Sequence, residues 1–259
     1  MSRNYSMYCK MDYSKFMKGA FDALVARGVI DSSVLTEVRI SDDEFEALEK
    51  ECDIQIPDEV RAYLRAYGHS FNMLATPVPE DLYAHSDYVV DISKQINMTP
   101  DEIAELDEDD KFDLSVTWSD FIKVDKDNPL KGIKDAIEGF RGYASCVENP
   151  EIDEEKINRF LPVGEWMSAG SLCIDTSKKK EDVDIDDPDT WQIRWFDHEE
   201  LDWESEGYIG EDGDIVGSVM FPDLETIIKL YFYGAFDQAY LAQCEDWGEE
   251  PEDRNTWVQ

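Results

Sequence analysis

Between Ser41 and Asn72 the chain reads SDDEFEALEKECDIQIPDEVRAYLRAYGHSFN, a stretch that leaves little choice of local structure. Ser41 followed by Glu44 is a capping box: the serine oxygen accepts from the Glu44 amide, and the glutamate reaches back to the serine N–H. A helix therefore starts there. Phe45, Leu48 and Cys52 recur at helical spacing, so one face of it is apolar and half buried. Pro57 restarts the chain, because proline at a helix start gives up an N–H that would go unpaired anyway. Val60, Tyr63, Leu64 and Tyr67 make the stripe of a second helix, and Gly68 is placed to end it in the left-handed conformation.

Residues 13–28 predict another helix, with Phe16, Ala20, Phe21, Leu24 and Val25 periodic and Gly28 at the exit. About forty residues are too few to stand alone comfortably, so 1–40 is expected as a helical extension packed on a core domain spanning 41–240. Beyond Asn72 the chain is broken by Pro77 and Pro79, and Tyr88–Ile92 has strand composition. Thr99-Pro100 signals a helix start and precedes seven acidic residues between Asp101 and Asp110. With Trp118, Phe121, Ile122, Ile133, Ile137 and Phe140 it predicts a helical and acidic insertion near 95–145. The Lys run and acidic run between Asp175 and Trp191 read as an exposed hairpin connection. Asp212-Gly213 between two apolar runs is a hairpin-turn signal. Pro222-Asp223 starts a last helix that carries Leu224, Ile227, Ile228, Leu230 and Tyr231 inward and continues toward Tyr240 and Leu241. Residues 241–259 read as an acidic tail, loose from Glu245 apart from what Trp247 and Trp257 touch. Helices, then strands, then a helix give an α+β fold: a largely antiparallel mixed sheet with helices packed on one face.

Three segments in order carry a resemblance. The acidic helix start and Ile-Pro step of 41–72 come first. Phe160-Leu161-Pro162-Val163-Gly164 follows as a strand entry, and then Ser171-Leu172-Cys173-Ile174-Asp175 and the strand WQIRWFDH from Trp191 to His198. Over roughly residues 41 to 236 this order resembles the SUKH superfamily, which includes bacterial immunity proteins of polymorphic toxin systems and yeast cell-wall regulators of the Smi/Knr type. The resemblance implies the same α+β fold and a role in binding a protein. The chain departs from the family pattern at Trp166-Met167-Ser168-Ala169-Gly170, where relatives commonly carry a Gly/Asp-rich turn.

Charge narrows the partners. Sixty-one acidic residues against 24 basic ones give a formal net charge of −37. Nucleic-acid affinity is supplied largely by Lys and Arg displacing counterions, so direct nucleic-acid binding is not expected, nor is binding to an anionic membrane surface. Cations and basic proteins are what such a surface attracts, although acidity also serves solubility alone. The first residues hold no long apolar run, and no stretch reaches the length of a membrane span. Cys9, Cys52, Cys146, Cys173 and Cys244 are an odd, widely spaced set without a C-x-x-C pair, which points to reduced thiols and a cytoplasmic location.

Few residues suggest chemistry. His69, His85 and His198 stand at no metal-ligand spacing, and Cys173 alternates with Leu172 and Ile174 as a buried, inert thiol would. Asp182, Asp184 and Asp186 space like the first half of a calcium loop. The pattern then fails, with Asp187 where the turn demands Gly and Ile193 where a bidentate Glu belongs. No catalytic residue, metal site or cofactor is expected, and enzyme activity is the least supported class. From Glu199 to Asp214 there are eight acids and no basic residue, interleaved with aromatics. Trp203, Glu204, Glu206, Tyr208, Asp212 and Asp214, with Asp184, Asp186 and Asp187, are the candidate partner-binding residues, since Trp and Tyr anchor interfaces and charge steers. Trp203 and Tyr208 have a second reading as core-facing residues. The function expected is that of an immunity protein neutralising a cognate basic toxin domain; a Smi/Knr-type regulator and an acidic DNA mimic are the alternatives.

Overall fold

Six strands lie side by side in chain order, each antiparallel to the next: β1 (Met73–Pro79), β2 (Leu114–Phe121), β3 (Phe160–Trp166), β4 (Gly170–Asp175), β5 (Ile193–Asp197) and β6 (Ser218–Phe221). This computed structural model describes residues 11–79, 102, 105, 113–147, 154–167, 169–177 and 192–259. The helices are α1 (Tyr13–Ala26), α2 (Asp42–Cys52), α3 (Asp58–Ala66), α4 (Lys131–Ala144), α5 (Glu154–Asn158), α6 (Leu224–Tyr231) and α7 (Asp237–Trp247). The class is α+β with an antiparallel sheet, as the sequence implies, but helices lie on both faces of it and not on one: α1, α3 and α6 pack against one face, and α4 reaches the other through Phe140 and Ala144.

The capping box forms in full. The Ser41 amide donates to Glu44 Oε2 at 2.8 Å and the Glu44 amide to Ser41 Oγ at 3.3 Å, which satisfies two helix-end donors at once. Phe45, Leu48 and Cys52 are buried beneath α2, and Val60, Tyr63 and Leu64 beneath α3. The end of α3 differs from expectation. Gly68 exchanges two main-chain bonds with Thr36, at 2.9 and 2.8 Å, and a Cβ there would stand 2.5 Å from Thr36 Oγ1. Glycine is required at that point by the close approach of another segment, not by a left-handed turn.

The main core lies where α1, α3 and α6 meet the sheet. Phe21 of α1 sits at its centre, its ring 5.2 to 6.3 Å from those of Tyr63, His69, Phe71 and Phe232. A second cluster joins Phe140 and Ala144 of α4 to Phe160, Cys173, Phe196, Trp203, Tyr208 and Ile215. It sits on the opposite face of β4 from Leu172 and Ile174, which belong to the main core, because alternate strand residues point to opposite sides.

Three expectations need correction. Residues 114–121 are not part of an insertion: they form β2, paired along its length with β1 and also with β3. Thr117 and Ser119 are buried while Trp118, though packed against the core, is only partly so, and burial along the strand does not follow hydrophobicity. The last helix is two helices. Gly234, at φ +70°, turns the chain, and α7 begins anew at Asp237, a buried carboxylate held by Arg27 at 2.9 Å and Arg254 at 3.1 Å. The tail is not loose. Trp257 is 1% exposed, Val258 bridges Leu74, and the Ala75 amide donates to the Trp257 carbonyl at 2.9 Å. The free edge of β1 thereby finds partners for main-chain groups that would otherwise stand open.

The Asp-Gly turn forms where predicted, with Ile209 bridging Ile215, the Gly210 amide donating to Asp214 O at 2.8 Å, and Gly213 at φ +75°. β4 and β5 are antiparallel neighbours, as the hairpin reading requires; residues 178–191 of their connection lie outside the described residues. So do Tyr88–Ile92 and, apart from Glu102 and Glu105, the acidic run from Asp101 to Asp110.

Candidate functional site

The acidic stretch after β5 divides into a buried and an exposed part. Trp203 and Tyr208 take the core-facing of their two readings, at 0% and 2% exposure, so neither offers a ring to a partner. Trp203 Nε1 donates to the Tyr143 hydroxyl at 2.8 Å, and that hydroxyl donates to the carbonyls of Asp197 and Glu200. Burial pushes the Tyr143 and Tyr208 hydroxyls up to about 12, so both stay protonated hydrogen-bonding groups. Asp214 is also structural: both its oxygens meet Arg159 at 3.0 Å, and Arg159 reaches the Ile215 carbonyl at 2.6 Å. Glu204, Glu206 and Asp212 are exposed; Asp184, Asp186 and Asp187 lie outside the described residues.

What the acidic stretch does not supply, another place does. A groove of about 610 Å³ runs between α4 and the strands β2, β3 and β4. Its floor includes Asp120, Glu165 and Ser171, which are register partners across the three strands. They therefore stand side by side on one face, in the row that continues to Phe196 of the second cluster. Its wall is the face of α4 carrying Gly132, Asp135, Ala136, Gly139 and Tyr143, all at helical spacing. Lys123, Asp125 and Lys131 also line it; Lys131 is paired with Asp135.

The groove is held rigidly. At the exit of β2 the Ile122 carbonyl accepts from Tyr63 Oη at 3.1 Å, and the Val124 carbonyl from the His69 amide at 2.8 Å. Lys134 of α4 meets Glu51 of α2 at 2.5 Å, and Ile133 and Ile137 are buried in the main core. At the far end the His198 amide donates to Ala169 O at 3.0 Å, beside the turn where Met167 sits at φ +49° and is 47% exposed.

Electrostatically the floor is unusual, since like charges directly opposite each other on neighbouring strands are destabilising. Glu165 is exposed at the groove mouth, and its carboxyl is raised above its ordinary value, first by partial desolvation against the sheet and second by the charge of Asp120, with His198 acting in the opposite direction. Asn72 Nδ2 donates to Asp120 at 3.2 Å and offsets part of the repulsion. Chemically, this floor accepts charge-assisted hydrogen bonds. Among the described residues no group of three or more His, Cys, Asp or Glu is placed to hold a metal ion, and no helix is long and apolar enough to cross a membrane. Cys173 is fully buried and its thiol is raised well above its ordinary value, first by burial, which disfavours the thiolate.

Sequence reasoning missed Asp120 and Glu165. Each is a single acid inside a short strand, in LSVTWSDF and FLPVGEW, and in a chain this rich in carboxylates neither stands out. Only the register brings them together. Comparison of the chain with known protein families, with curated proteins and with solved structures returns no match.

Proposed function

We propose that this chain is a protein-binding module with no catalytic role of its own, an immunity protein that binds and neutralises a basic, nuclease-type toxin domain. The observation that supports it most is how charge is distributed. Arg27, Arg61, Arg65, Arg159 and Arg254 are each held by carboxylates of the fold, and Arg141 and Arg194 by main-chain carbonyls. Glu199, Asp202, Glu204, Glu206, Glu211 and Asp212, by contrast, are exposed. Among the described residues seven of eight arginines are thus tied to the fold, Arg39 being the exposed exception, while these carboxylates face outward. A field of that sign speeds encounter with a basic protein and competes with nucleic acid for the same basic groove.

The reading is tested by capture from the source cell, with the immobilised chain at low salt and elution by a salt step. One basic polypeptide at equal stoichiometry, whose activity is abolished by one equivalent of the chain, is the expected result. Many DNA-binding proteins released together would instead identify a DNA mimic. Turnover of a nucleotide or peptide substrate by the purified chain would overturn the non-catalytic reading.

A further inference from the structure

The outer edge of β1 is closed by two devices, one built into the strand and one brought from far along the chain. In an antiparallel pair, successive amides point alternately toward the neighbouring strand and away from it. The Phe121 amide donates to the Asn72 carbonyl across the β1–β2 pair, and the Ala75 amide donates away from β2, to Trp257. Positions 73, 75, 77 and 79 therefore turn their amide side outward. Pro77 and Pro79 have no N–H to offer there, and a sheet accepts proline at an edge for that reason. Two donors remain, and the segment 257–259 takes both. Met73 N–H meets the Gln259 carbonyl at 3.4 Å, Ala75 N–H meets the Trp257 carbonyl at 2.9 Å, and Gln259 N–H returns a bond to the Met73 carbonyl at 3.2 Å. Trp257 is the anchor of this segment, buried in the main core under Arg254, whereas Val258 is half-buried and Gln259 exposed. The anchor is held at a cost: among the described residues no acceptor meets the buried Trp257 Nε1, and withdrawal of the ring relieves that. Glu249, Glu250, Glu252 and Asp253, which lead into the segment, are exposed and repel one another.

We propose that residues 254–259 are an edge guard, and that on their withdrawal β1 pairs with β1 of a second copy of this chain. The edge is complementary to itself. Turned about a two-fold axis at Leu74, Met73 of one copy faces Ala75 of the other, and each facing pair exchanges both of its main-chain bonds. A longer foreign strand finds no donor beyond Ala75, because the next two outward positions are prolines. The net charge of −37 slows the encounter of two copies, but salt screens exposed charges beyond about 8 Å at physiological ionic strength, and main-chain pairing persists there. An unguarded edge is a template for pairing, so the segment keeps the chain monomeric. This inference is independent of the basic-partner reading.

The test is sedimentation velocity of the full chain over a range of concentrations at physiological salt, where the unmodified chain is expected to be a monomer. Trp257→Ala removes the anchor. It is expected to raise the self-association constant on the order of a hundredfold, because association follows the fraction of chains whose edge is open. Gln259→Pro deletes one guard hydrogen bond at an exposed position and should shift association the same way by a smaller factor. Adding Met73→Pro to either variant removes an outward donor, leaves the β1–β2 ladder intact and should restore the monomer. Association that survives Met73→Pro would come from uncovered core instead of the strand edge, and would overturn the proposal. A folded Trp257→Ala that stays monomeric would overturn it too; if that variant fails to fold, a Gln259→Pro chain that stays monomeric at every concentration does so alone. Equal self-association of the unmodified chain and Trp257→Ala would show that the segment guards nothing.

Discussion

Around Phe160 of β3, Cys173 of β4 and Phe196 of β5 the sheet face that meets α4 is sealed, whereas around Asp120 of β2, Glu165 of β3 and Ser171 of β4 the same face is open. In the sealed half Phe160, Cys173 and Phe196 pack under Trp203 and Tyr208, and the loop above them is tied down by the Arg159–Asp214 pair. In the open half the strand row carries Asp120 and Glu165, and α4 lines the opening with Ala136, Gly139 and Tyr143 beside the edge of Phe140. One helix serves both halves. The difference lies in side-chain size and charge along a shared wall and floor, and it shows that a folded sheet face is left open where its own residues decline to fill it.

The largest expected effect breaks the sealed half. Trp203→Ala removes a fully buried ring and the donor to the Tyr143 hydroxyl, and is expected to lower unfolding free energy by about 3–5 kcal/mol in urea titrations. A loss below 1 kcal/mol would mean that the loop is not part of the core.

Acid sharpens the contrast between packed and open regions. Burial lowers His69 from 6.5 to about 4, so between those values the unfolded chain binds a proton that the folded chain does not. Stability is therefore present above pH 6.5 and falls as pH drops toward 4, by up to about 3 kcal/mol. His69→Gln should flatten that slope in pH-dependent denaturation; an unchanged slope would assign it elsewhere.

Two smaller effects have opposite signs in the two halves. At Asp214 burial acts to raise the carboxyl pKa, but the Arg159 hydrogen bonds and charge prevail and the net shift is downward. Its contribution is present above the ordinary aspartate pKa of about 4 and is lost as pH falls through the lower folded value. Since Asp214 is partly exposed, Asp214→Asn should cost no more than about 1 kcal/mol at neutral pH. At Glu165 the folded pKa is raised, so the ionised form costs stability above that value and the cost is relieved on acidification. Glu165→Gln should therefore stabilise the protein at neutral pH by roughly a few tenths of a kcal/mol, a gain that vanishes in acid. A destabilised Glu165→Gln would remove the repulsion assigned to the open half.

Local signals were legible in the sequence and nonlocal ones were not. The capping box, the Phe45–Leu48–Cys52 face and the Asp-Gly turn depend on residues within a few positions of each other, and they form as read. β2 escaped because Ser119 is buried while Trp118 is only partly so, and burial along the strand does not follow hydrophobicity. The turn at Gly234 escaped because apolar residues flank it on both sides, and what starts α7 beyond it is a carboxylate gripped by Arg27 and Arg254, far away in the chain. The tail escaped because a single tryptophan among acids carries no period. The groove depends on strand register, which one sequence does not display. Trp203 and Tyr208 show the converse: aromatic residues among acids read as interface anchors and turn out to close the core.

The most direct test of the central claim is amide hydrogen exchange of the chain alone and bound to the basic polypeptide it captures. The account predicts new protection, lost at high salt, over residues 199–212, where Glu199, Asp202, Glu204, Glu206, Glu211 and Asp212 are exposed. Exchange across those residues that is the same in the bound and the free chain would contradict it.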